Sequence, residues 1–64
     1  MINGEKLRYL MDQKGIQGQE LAASVGISKS MMSYIIQELR DTTVTVLVRI
    51  TKVLGCTADE LIAR

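Results

Sequence analysis

Five residues in the middle of the chain have side chains suited to reading another molecule. Ser30, Ser33, Tyr34 and Gln37 recur at i, i+3, i+4 and i+7, so they share one face of a helix, and Lys29 stands at its start. Met32, Ile35, Ile36 and Leu39 repeat the same spacing in aliphatic residues, which predicts a core-facing stripe on the opposite side. An ordinary solvated face fills with Glu and Lys. Here no acid lies between Leu21 and Gln37, and Glu20 and Glu38 bracket the gap. Hydroxyls, an amide, a phenol and a cation on a carboxylate-free surface suit a polyanion with hydrogen-bonding edges, which is double-stranded DNA. The plain alternative is a polar helix face with no partner, and the surrounding pattern has to decide between them.

Composition narrows the choice. The 64 residues predict one domain, and a chain this short is marginal without a partner. Apolar residues make up 47%, with no Trp or Phe and two Tyr, so the core must be aliphatic. A single cysteine, Cys56, excludes an internal disulfide, and the absence of His leaves zinc without a ligand set. No metal or cofactor is expected, and the compartment expected is the reducing cytoplasm. The opening MINGEKLRYLMDQK has no long apolar run, so neither a signal peptide nor a membrane span is read there. Asp59 and Glu60 read as parts of a helix cap, not as a catalytic pair. With no convergent nucleophile and base, no phosphate-cradling glycine loop and little chain to enclose a pocket, neither an enzyme nor a small-molecule effector site is expected. Net charge is only +1, weak for a nucleic-acid binder, so the placement of charge has to carry the attraction.

Punctuation then gives the elements that would hold this face. Asn3 is an N-cap with Glu5 in the first turn, Leu7, Leu10 and Met11 form a stripe, and Gly15 ends helix 1 at about 4–14. Helix 2 begins near Gly18 and ends at Ser24 or Val25, with Leu21, Ala22 and Val25 inward. Gly26 supplies a sharp turn, Ile27 anchors it, and Ser28 caps a third helix that reaches Glu38 or Leu39. Thr43 caps a fourth helix that stops before Gly55, and Thr57-Ala58-Asp59-Glu60 fits a capping box for a short fifth. The fourth segment is ambiguous: Val44, Val46, Val48 and Ile50 alternate as in a strand, while Val44, Leu47, Thr51 and Leu54 form a helical stripe. Except through dimerisation, the chain offers no second strand-like segment to pair with, so a helix is expected.

The run GIQGQELAASVGISKSMMSYI resembles the Cro and lambda-repressor-like helix-turn-helix family, of the XRE type, with the motif at about residues 17–37. The later LVRITKVLGCTADELI is similar to that family's closing helices, and the likeness runs from residue 15 to residue 62 without a gap. The resemblance implies an all-α fold, a compact five-helix domain that usually works as a dimer on a pseudo-palindromic operator, the start of helix 3 entering the major groove. By position it implies base contacts from Lys29, Ser30, Ser33 and Tyr34. Gln17, Gly18, Ser28, Met31, Gln37, Arg40 and Thr43 would lie along the DNA backbone. Four positions depart from the family pattern. Gly18 stands where a Gln usually opens helix 2, Ile36 replaces a polar residue, Glu38 replaces the Gly that ends helix 3, and Thr42 replaces a Pro. The last two predict that helix 3 runs on towards Arg40.

The expected function is a sequence-specific regulator, a repressor of phage or mobile-element type. A homodimer would share Val46, Ile50 and Val53 of helix 4 with Leu61, Ile62 and Ala63; the other reading is that the core itself buries all of that helix 4 surface. The other class of function is a protein-interaction module, an antitoxin or adaptor with a degenerate DNA face and a toxin or other protein as partner.

Overall fold

In a computed structural model, which describes residues 2–62, five helices enclose one aliphatic core. They are α1 (Gly4–Lys14), α2 (Gly18–Val25), α3 (Lys29–Ile36), α4 (Val44–Leu54) and α5 (Ala58–Leu61). No strand forms among the described residues, so the alternation at 44–50 does not produce one; Val44–Leu54 is helical, capped by Thr43 and stopped at Gly55.

Each boundary has a local cause. Asn3 accepts the Lys6 N–H with its side chain, and Glu60 accepts the Thr57 N–H at 3.2 Å to start α5. A box at α2, missed in the sequence, works the same way: Glu20 Oε1 accepts the Gln17 N–H at 3.3 Å. Gly26, at φ 79°, makes the turn between α2 and α3. Arg49 of α4 seals that turn by donating from Nη1 to the Val25 carbonyl at 3.2 Å, thereby tying the last turn of α2 to a third helix.

Leu7, Leu21, Met32, Ile35, Ile50 and Leu54 are buried at the centre, with Ala22 and Val25 of α2, which packs on both α3 and α4. Leu10, Ile16, Ile27 and Cys56 are half-buried against it. Burial and the nearby Glu60 carboxylate push the Cys56 thiol up from its ordinary value, which suits a small apolar residue and not a nucleophile. The two ends of the domain close on each other. Ile2 bridges antiparallel to Ile62, the Asn3 N–H donates to the Leu61 carbonyl at 2.6 Å, and Ile2 is buried, a core role the sequence did not announce.

Two expectations need correction. Within α4 the buried line is Ile50 and Leu54, flanked by Val46, Leu47 and Val53; Val44 is 77% exposed and Thr51 only half-buried. Aliphatic residues at 44, 46, 47, 48 and 50 leave no polar side to set the helix phase, so the periodicity could not choose. Helix α3 ends at Ile36 instead of running on, and Leu39 is 66% exposed instead of buried.

The reason for the early stop is Glu38, which takes φ 62° itself. The Glu38 N–H donates to the Ile35 carbonyl at 3.1 Å and the Leu39 N–H to Tyr34 at 2.8 Å, the paired bonds of a Schellman cap. A left-handed non-glycine residue costs about 1–2 kcal/mol. Its carboxylate offsets part of that cost, accepting the Gly4 N–H at 3.0 Å at the positive end of α1.

Candidate nucleic-acid interface

The caps and the core together fix how α3 stands. Met32 and Ile35 are buried and Ile36 is half-buried, so the other side of the helix must face out. Lys29, Ser30, Ser33, Tyr34 and Gln37 are all exposed on it, as their spacing implies. Gln37 Nε2 donates to Ser33 Oγ at 2.7 Å, and Arg40 Cζ lies 5.9 Å from the centroid of the Tyr34 ring. The Schellman turn brings Arg40 back to this face. Sequence spacing placed Arg40 beyond the helix and gave no hint of that pairing.

Both carboxylates that border the face are turned to helix N-termini: Glu20 to the Gln17 N–H and Glu38 to the Gly4 N–H. Asp41, exposed just past Arg40, lines the slot beside Met31, so the acid-free stretch runs along α3 and stops at the connection that follows it. Ser28 Oγ accepts the Met31 N–H at 3.0 Å and Thr43 Oγ1 accepts the Val46 N–H at 3.2 Å. Each hydroxyl keeps its proton free to donate outward while it caps.

The remaining candidates are less alike. Gln17, Arg40 and Thr43 are exposed; Gly18 and Met31 are half-buried. Met31 lines an apolar slot of about 120 Å³ with Ile27, Ile35 and Val46. A Cβ at Gly18 would lie 3.7 Å from Ile36 Cδ1 and 3.9 Å from Met11 Cε, ordinary contact distances. Gly18 is therefore not demanded by space, and Gly18→Ala should raise stability by about 0.5 kcal/mol through the unfolded chain. A chemical denaturation midpoint that moves down instead would mean the backbone there needs glycine.

A family model described as Helix-turn-helix matches residues 7–61. The chain belongs to the helix-turn-helix family of XRE/Cro type, a family of DNA-binding transcriptional regulators and not of enzymes. No curated protein matches the chain. No helix among the described residues is long and apolar enough to cross a membrane.

Proposed function

We propose that this protein is a repressor of phage or mobile-element type, acting in the cytoplasm as a homodimer on a pseudo-palindromic operator. Helix α3 enters the major groove, and Lys29, Ser30, Ser33 and Tyr34 contact base edges. Gln17, the Gly18 amide, Ser28, Met31, Gln37, Arg40 and Thr43 run along the backbone and set register. Repression is by occupancy. The observation that carries this reading is the exposed, carboxylate-free side of α3 opposite a buried aliphatic back.

Size argues for two copies. The domain measures 26 × 23 × 19 Å, less than the roughly 34 Å that separates successive major-groove faces. Of the residues expected in the subunit contact, Ile50 and Leu61 are fully buried in their own chain and offer no surface, Val46 and Val53 show only edges, and Ile62 is 39% exposed. Ala63 lies outside the described residues. Val44 and Val48, at 77% and 41% exposure, have the apolar area on α4 to share. The same exposed valines favour the second reading, an antitoxin or adaptor that uses them on a different protein.

Selection of bound duplexes from a random pool tests the proposal. A consensus should emerge, and Ser33→Ala or Tyr34→Ala should change which bases are chosen, at about 1–3 kcal/mol of discrimination per lost contact. Binding that shows a steep salt slope and no consensus would leave only phosphate attraction. Purification bound to an unlike protein, with DNA affinity indifferent to Lys29→Ala and Tyr34→Ala, would favour the second reading.

A further inference from the structure

We infer that Arg40 is a specificity-determining residue that works through Tyr34, as a positioning residue for the phenol ring, in addition to any attraction it exerts on phosphate. This rests on the base-reading role of α3 proposed above. Tyr34 is 43% exposed and projects from the last turn of α3, where the helix itself packs nothing against its outer side. A ring so placed samples several rotamers, and each costs affinity when one must be selected on DNA. The guanidinium at 5.9 Å from the ring centroid limits that freedom by cation–π attraction.

What places Arg40 there is the backbone, not its own side chain. Glu38 at φ 62° reverses the chain, and the Leu39 N–H closes on the Tyr34 carbonyl at 2.8 Å. Two residues past the turn, Arg40 is delivered over the ring of the residue that accepts that bond. The Glu38 carboxylate, held by the Gly4 N–H, anchors the turn to α1. Next to it the Gln37 to Ser33 hydrogen bond orders a second pair on the same face. The reading surface is therefore pre-arranged in two couples, Ser33 with Gln37 and Tyr34 with Arg40.

Arg40→Gln takes the cation from the ring and from any phosphate alike, and the Tyr34→Ala background separates the two roles, because only a phosphate contact persists without the ring. Binding of the full chain to its selected duplex, to duplexes altered at single positions and to random DNA is measured for wild type, Arg40→Gln, Tyr34→Ala and the double variant. Random-DNA affinity of Arg40→Gln should fall by the same factor with and without the Tyr34 ring. Its preference at the bases whose choice depends on Tyr34 should fall roughly two- to five-fold, and in the Tyr34→Ala background the same substitution should leave base preference unchanged. In the free protein, the ring resonances of Tyr34 should move on Arg40→Gln while those of Tyr9 stay. A loss that is equal at every base position, or a loss of preference that persists without Tyr34, overturns the positioning role and leaves a phosphate contact. If the rings move as expected but no duplex is preferred by wild type, the base-reading proposal fails and this inference falls with it. If a duplex is preferred but the Tyr34 resonances do not move, the inference alone fails.

Discussion

Gly4→Ala should come close to unfolding the domain. An added Cβ would overlap the Ile36 carbonyl oxygen and sit 3.0 Å from both the Ile36 carbonyl carbon and Glu38 Cγ. The nearest atom is backbone at the end of α3, so no side-chain rotation relieves the overlap. Helix α1 would have to lift off, and the Gly4 N–H to Glu38 bond would break with it. Overpacking of this kind costs about 3 kcal/mol. For a domain of this size, that lowers the melting midpoint by roughly 12–24 °C, readable by far-UV circular dichroism. Glu38→Gln, which keeps the turn and an acceptor oxygen, should cost much less. A Gly4→Ala protein that melts like wild type would show that the contact between α1 and α3 is not tight in solution.

Leu61→Ala should lower stability by about 2–5 kcal/mol, and the loss should not depend on protein concentration. Helix α5 is a single turn of four residues, too short to hold itself. Leu61, completely buried, pins it to the core, and its carbonyl takes the Asn3 N–H that closes the two ends of the domain. The cavity would therefore loosen both the N-terminal segment and α5. Ile62→Ala, at a residue 39% exposed, should be nearly neutral in the same denaturation experiment. If the Leu61→Ala defect shrinks as concentration rises, the side chain belongs to a subunit contact after all, since only an association equilibrium responds to mass action.

The elements that were legible in the sequence share one property: their causes are local. Asn3, Ser28 and Thr43 cap because a short oxygen-bearing side chain reaches an N–H three residues on, and Gly15, Gly26 and Gly55 stop helices because positive φ suits them. The outward set Lys29, Ser30, Ser33, Tyr34 and Gln37 follows from helical spacing alone once α3 exists. Where the local signal was degenerate, reading failed. The aliphatic run of α4 gave no phase, and Glu38 looked like a residue that continues a helix when it in fact ends one.

Residue order by itself therefore determined the helices, their caps, the aliphatic core and the acid-free face of α3, because each depends on neighbours within a turn or two. Only the tertiary structure decided the rest. Glu38 gives up helical backbone because Gly4 is 34 residues away in sequence yet within hydrogen-bond reach. Arg49 seals a turn 24 residues earlier, and Leu61 lies inside the core of its own chain. Such partnerships depend on which surfaces meet after collapse, and no periodicity along the chain encodes a distance across it.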